Sequence, residues 1–261
     1  MRKLLSILLC FTSISIYSQQ NYYVSSSLGD NNNAGTSENS PFQTINRAFD
    51  NVEPGDTIYV MNGTYTNPDY GTANPHSSDG SKSTNMNNPP AVIVNKSGTP
   101  GNYITLRNLP GHNPKIKFDG RGGILINGPQ SYLIIEGFEI EGPGASITYD
   151  QAIADRKWKV KADQEDLNYN HSYFASFGIW SGFSQGFLHH HVIIRNNIVH
   201  HTTGSGIRFN DSDHITIENN TVYNTTWWTS NASSAIVFAE CKALSNNDNG
   251  DDIKMIMRGN T

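Results

Sequence analysis

The stretch from Arg208 to Lys242 gathers the side chains best suited to chemistry on a charged ligand. Arg208 carries a planar, permanently charged fork that fits a carboxylate. Asp211 and Asp213 follow it closely, and Glu240 and Lys242 come one repeat later. The three acids supply the hard oxygen donors that Ca²⁺ takes. They also supply carboxylates enough for an inverting hydrolysis, which spaces two of them around a water. Asp-rich turns arise equally from Asp bonding its own backbone, so the calcium reading has a plain rival. Arg208 and Lys242 supply cations for an acidic ligand, and His201 is a candidate acid or base. Imidazoles in the runs His189-His190-His191 and His200-His201 also serve simply as packed side chains on a strand face. Trp180, Trp227, Trp228 and Asn231 are candidate ligand contacts. The two adjacent tryptophans stand in a segment, 224–234, longer than the matching 201–205. Their rings suit stacking on a pyranose, or they fold back on neighbouring coils.

A repeat must position these residues. His191-Val192-Ile193-Ile194-Arg195-Asn196-Asn197-Ile198-Val199-His200 overlays His214-Ile215-Thr216-Ile217-Glu218-Asn219-Asn220-Thr221-Val222-Tyr223 without a gap, at an offset of 23 residues. The pattern recurs at 132–140 and 254–261. Apolar and polar residues alternate within each copy, as a strand with one buried face requires. One such coil cannot bury its apolar face alone, so successive coils must stack about 4.8 Å apart, Ile on Ile and Asn on Asn. The expected fold is an all-β, right-handed parallel β-helix, with Asn196 and Asn219 forming an amide ladder along its axis. A β-sandwich would show hairpins and no in-register repetition.

The rest of the chain fits one elongated domain. Residues 1–18 read as a secretory signal peptide, with a basic start, a short apolar core and a small residue at the cleavage point. That core is too short to span a bilayer. With the signal removed only Cys241 remains, which excludes an intramolecular disulfide and a cysteine zinc site. A net charge of −5 and 16% charged residues leave no concentrated basic surface, which argues against nucleic acid as a partner. Residues 19–66 are expected to cap the stack, with one amphipathic helix over Pro41–Phe49 presenting Phe42, Ile45 and Phe49 on one face. Residues 141–176 read as an inserted loop able to overhang a groove as a wall, or as a surface flap. The β-helix domain runs from 19 to 261, and the last copy of the repeat stops in mid-coil, so further C-terminal coils are expected to be missing.

A resemblance emerges from the order of signal, cap, Gly55-Asp56-Thr57-Ile58-Tyr59-Val60, Gly63-Thr64-Tyr65, Ser97-Gly98-Thr99-Pro100-Gly101-Asn102-Tyr103-Ile104-Thr105-Leu106, Phe118-Asp119-Gly120 and the Asn-Asn coils. Over most of residues 21 to 261 it resembles the secreted β-helix polysaccharide lyases, including alginate, chondroitin and pectate-lyase-like proteins. The resemblance implies a secreted bacterial protein, acting as a monomer on an acidic, uronate-containing polysaccharide by β-elimination, with Arg208 and Lys242 as neutralising group or base. It also implies that Gly178-Ile179-Trp180, Gly206-Ile207-Arg208-Phe209 and Ala235-Ile236-Val237-Phe238 are first strands, whose outer face is the substrate groove. With Ile207 and Phe209 inward, Arg208 points out and Trp180 lies beneath it. The pair then makes a sugar platform beside an anion clamp, or a cation-π pair without a ligand. β-Helix glycosidases and adhesins share this pattern, so hydrolysis and binding without catalysis stay open. The closely spaced Asn and Glu, followed by a basic residue, that mark the alginate and chondroitin lyases have no counterpart placed in this sequence.

Overall fold

The computed structural model describes residues 18–73, 88–165, 172–182, 188–229, 233–243 and 253–261. The signal segment therefore lies outside the described residues up to position 17. Short runs rich in Ile and Val form strands because branched side chains fit a pleated, half-buried surface. They wind into three parallel sheets.

Sheet 1 holds the first strand of each coil: β4 (Val92–Val94), β7 (Gly122–Ile126), β10 (Phe177–Ser181), β13 (Ile207–Asn210) and β16 (Ile236–Ala239). Sheet 2 holds β1 (Asn21–Val24), β2 (Thr57–Val60), β5 (Ile104–Asn108), β8 (Ser131–Glu136), β11 (His189–Arg195), β14 (Ser212–Glu218) and β17 (Met255–Arg258). Sheet 3 holds β3 (Thr64–Thr66), β6 (Lys115–Lys117), β9 (Glu139–Glu141), β12 (Ile198–His200) and β15 (Thr221–Tyr223). Every pairing between these strands is parallel and in register, for example Val192 with Leu133 on one side and Ile215 on the other. This is the coil stacking that the repeat requires. The column of Ile, Val, Leu and Phe inside it is a single buried core from Val24 to Ile217.

The amide ladder forms one residue later than expected. Asn197 Nδ2 donates to Asn220 Oδ1 at 3.1 Å, and Asn220 Nδ2 donates to Asn260 Oδ1 at 3.0 Å, with backbone N–H groups of Asn197 and Asn220 bonded to the same oxygens. Asn196 and Asn219 instead make the turn, at φ +56° and +55°, a position filled by Gly137 and Gly259 in the neighbouring coils. The left-handed backbone there selects Asn or Gly, and the residue after it faces inward.

The N-terminal cap is also shorter than expected. The helix α1 covers only Ile45–Phe49, with Thr44 as its N-cap, while Phe42 makes a parallel bridge to Val24 instead of entering the helix. Phe42, Ile45 and Phe49 are nonetheless all buried against the end of the core. The insertion at 141–176 carries regular structure: a 3-10 turn at Pro143–Ser146, a helix α2 at Tyr149–Gln164, and a second 3-10 turn at Ser172–Phe174. A reciprocal capping box between Thr148 and Gln151 starts α2. Among the described residues no helix is long and apolar enough to cross a membrane.

Candidate functional site on the outer face of sheet 1

The charges on the outer faces of sheets 2 and 3 stand in opposed rows. On sheet 2, Arg107, Glu136, Arg195, Glu218 and Arg258 follow one another in register. Glu136 is buried between Arg107 at 3.2 Å and Arg195 at 2.5 Å, and Glu218 bonds Arg258 at 2.7 Å. On sheet 3, Lys115 bridges Glu139 and Glu141 while Lys117 holds Glu141. Burial pushes the Glu139 and Glu141 carboxyls up, but these lysines, with His200 beside Glu139, outweigh it and hold both below the usual range.

Sheet 1 is built differently. Arg208 is the one charged residue in its five strands. It stands on β13 between outward neighbours Trp180 and Val237, while Ile207 and Phe209 on either side are fully buried in the core. Its Nε donates to Asn210 Oδ1 at 3.1 Å, and its guanidinium lies 5.9 Å from the centre of the Phe177 ring. Burial lowers the guanidinium's proton affinity, with Glu240 opposing that shift.

The expected register of Trp180 beneath Arg208 is present, but the exposed tryptophan platform is not. Trp180 is 1% exposed: its ring lies against Phe177 and folds over Gly122, where a β-carbon would overlap it. Alternation fixes the face from which a side chain leaves; it does not say what then covers it.

The acids and Lys242 lie where sheet 1 strands turn into sheet 2. Lys242 is exposed and its Nζ is held by Asp211 Oδ1, which raises the lysine's pKa. Asp213 is fully buried, accepts the His214 backbone N–H at 2.9 Å and has Lys254 at 3.6 Å. Glu240 is exposed, in a left-handed turn after β16. Thus two of the three proposed calcium ligands already face cations. Among the described residues the one group whose ligand atoms converge is Glu139, Glu141 and His200 on sheet 3, and its two carboxylates are already neutralised by Lys115 and Lys117. Among the described residues, the ligand atoms of Asp211, Asp213 and Glu240 do not converge in this way.

His201 is not brought to Arg208 or Lys242. It sits at the corner between β12 and β13, at φ +53°, in a chain of its own. Glu139 Oε1 lies 3.1 Å from His200 Nε2, the two Nδ1 atoms of His200 and His201 are 2.6 Å apart, and Asn224 Nδ2 is 3.2 Å from His201 Nε2. An ionised Glu139 can only accept, so His200 donates from Nε2, His201 donates from Nδ1, and His201 Nε2 accepts from Asn224. Burial, then neighbouring His200, lowers the pKa of His201. Its ring is spent on joining coils.

The double tryptophan divides. Trp227 is 61% exposed, whereas Trp228 packs on a satellite core of Ile147, Ala152, Tyr173 and Phe174. Trp228 thus folds back on a neighbouring coil, and Trp227 stays open to solvent. Asn231 lies outside the described residues. Tyr149, which begins α2 and meets Trp228 edge-on, was not singled out from the sequence; the capping pattern Thr148 to Gln151 is the signal that could have placed it.

Known proteins share this architecture. Residues 22–257 match the family described as Pel9A-like, right handed beta helix region. The solved pectate lyase Pel9A is similar at 19% identity and a TM-score of 0.52, over 81% of this chain and 41% of that one. A GH136 lacto-N-biosidase from Eubacterium ramulus is similar at 16% identity and a TM-score of 0.50, over 77% of this chain and 34% of that one. The chain thus spans less than half the length of either, and at these identities the likeness is one of fold. No curated protein matches it in sequence. The match over nearly the whole described β-helix is the decisive one, and the chain belongs to the Pel9A-like right-handed β-helix family.

Proposed function

We propose that this is a secreted, carbohydrate-active β-helix, working as a monomer, that cleaves a uronate-containing polysaccharide by β-elimination on the outer face of sheet 1. One observation carries the reading. Arg208 stands half-buried between Trp180 and Val237 as the one charged residue in the five strands of sheet 1, whereas the strand charges of sheets 2 and 3 sit in opposed rows. A guanidinium so placed suits a ligand carboxylate, which it can grip through two N–H bonds. The pectate lyase among the fold neighbours agrees with an acidic substrate.

In this reaction a base removes the proton on the carbon beside the uronate carboxylate. The electron pair forms a carbon–carbon double bond, the glycosidic C–O bond breaks, and the leaving oxygen takes up a proton. Arg208 neutralises the carboxylate, which makes that proton more acidic. Lys242 is the candidate base, and Asp211 governs it by favouring the charged, inactive ammonium. Elimination by Lys242 therefore requires that it exchange Asp211 for the substrate. No step in this account passes through a metal. Calcium dependence is a separate proposal, with Asp211, Asp213 and Glu240 as its candidate donors.

Incubation with uronate polymers separates the readings. New ultraviolet absorbance from unsaturated ends means elimination. Reducing ends without that absorbance mean hydrolysis and reject the proposal, as does retained binding with neither product. Chelation that leaves the rate unchanged removes calcium from the site.

A further inference from the structure

Residues 224–229 precede β16 in the chain, whereas Asp211, Glu240 and Lys242 follow the C-terminal ends of β13 and β16. Segment 224–229 holds two bulky or branched residues in left-handed backbone, Thr226 at φ +65° and Trp228 at φ +71°. Such conformations persist only where surrounding structure over-determines them, and they concentrate at ligand sites. Here the Thr226 N–H is shared between Thr202 O at 3.1 Å and Gly204 O at 3.0 Å, which fixes the loop to the coil below. Trp228 is anchored in the satellite core. The outcome of this bracing is that Trp227, lying between the two strained residues, is held out into solvent. Core packing does not explain that, because the ring it displays buries little.

A second exposed ring meets the same anchored indole. Tyr149 is 65% exposed, and the capping box fixes where its helix begins. Its ring meets Trp228 at 6.2 Å and 72°, while Trp227 meets the same Trp228 at 5.9 Å and 82°. Two open aromatic rings thus flank one anchored indole, each nearly perpendicular to it. They come from two different coils, so the arrangement exists only when the insertion is docked.

We propose that Trp227 and Tyr149 form a sugar-binding platform, with Trp228 as its support, that takes the apolar C–H face of a pyranose. This rests on the proposed glycan reading for the identity of the ligand. The ring bound here lies outside the reacting unit, because Arg208 stands mid-strand and the platform at the strand entrance. Stacking is blind to the carboxylate, so neutral and acidic pyranoses are both accepted here, while Arg208 selects the acidic one.

The test is calorimetric titration of the full chain and of Trp227→Ala, Tyr149→Ala and Arg208→Ala, each first checked for an unchanged melting temperature. The probes are oligogalacturonate and a neutral galacto-oligosaccharide. The platform predicts that Trp227→Ala and Tyr149→Ala each weaken both probes about five- to tenfold, whereas Arg208→Ala weakens only the acidic one. Binding of the neutral probe alone, lost in Trp227→Ala, upholds the platform and rejects the acidic-glycan reading. Unchanged affinity for both probes in the two aromatic variants overturns the platform and leaves Arg208 standing. No binding of either probe by the wild type overturns both. Loss of self-association on sedimentation, with glycan affinity intact, shows a protein-docking patch and likewise overturns it.

Discussion

The outer faces of sheets 2 and 3 and the outer face of sheet 1 are made by the same winding chain, yet they treat charge in opposite ways. On sheets 2 and 3 a charge on one coil meets its opposite on the next, as Glu136 meets Arg107 and Arg195, or Glu141 meets Lys115 and Lys117. Such rows hold coils in register and offer an incoming anion little, because each cation there faces a carboxylate. On sheet 1 a single guanidinium emerges among Trp180, Phe177 and Val237. Parallel stacking makes the contrast possible, since each residue's neighbours are the same positions one coil above and below, and a row can be neutral, paired or singular by choice of one residue per coil.

The contrast breaks most sharply at Arg208. Arg208→Ala is expected to lower turnover of a uronate polymer about a hundredfold with little loss of stability, as read by initial rates beside a melting curve. Arg195→Ala on sheet 2 should do the reverse, sparing turnover and lowering the melting temperature. A smaller effect is expected at Glu136, 5% exposed between two arginines. Glu136→Gln removes the charge that both arginines face and should cost about 1–2 kcal/mol in urea unfolding, discounted because each arginine is more than a third exposed. Activity should survive it.

The third prediction concerns pH. Asp211 raises the Lys242 pKa by bonding its ammonium, and a base works only when deprotonated, so the rate should climb as pH rises through that pKa. Asp211→Asn removes the raising partner and should shift the acidic limb of the kcat/KM profile to lower pH. An unmoved limb takes Lys242 out of the base's role. The smallest effect is expected at Arg258, whose side chain is 68% exposed beside Glu218: Arg258→Ala should cost under about 1 kcal/mol, checked by the same unfolding experiment.

How much of this was legible depends on what each residue's neighbours decide. The stack and the outward Arg208 over Trp180 follow from alternation and the 23-residue offset, while the first strands come from the resemblance to the β-helix lyases. The ladder was placed one residue early because Asn196-Asn197 and Asn219-Asn220 are chemically identical pairs. Gly137 and Gly259 at the first position held the answer, since glycine has no amide to stack and marks the left-handed turn. Trp180 was read as a platform because period-2 reasoning ends at the side chain's first bond. The helix α2 was missed because it has no apolar stripe, its buried residues being mainly alanines and Asp155, although Thr148 and Gln151 announced its start. The division of Trp227 from Trp228 depends on backbone strain and on that same helix, and neither leaves a trace in residue spacing.

The central claim is that the single strand cation of sheet 1, and not the cations in the opposed rows of the other faces, receives an acidic glycan. Titration of oligogalacturonate into wild-type, Arg208→Ala and Arg195→Ala protein tests it most directly. The account predicts equal affinity for wild-type and Arg195→Ala and a loss of about tenfold or more for Arg208→Ala. Equal binding by all three, or a loss confined to Arg195→Ala, would contradict it.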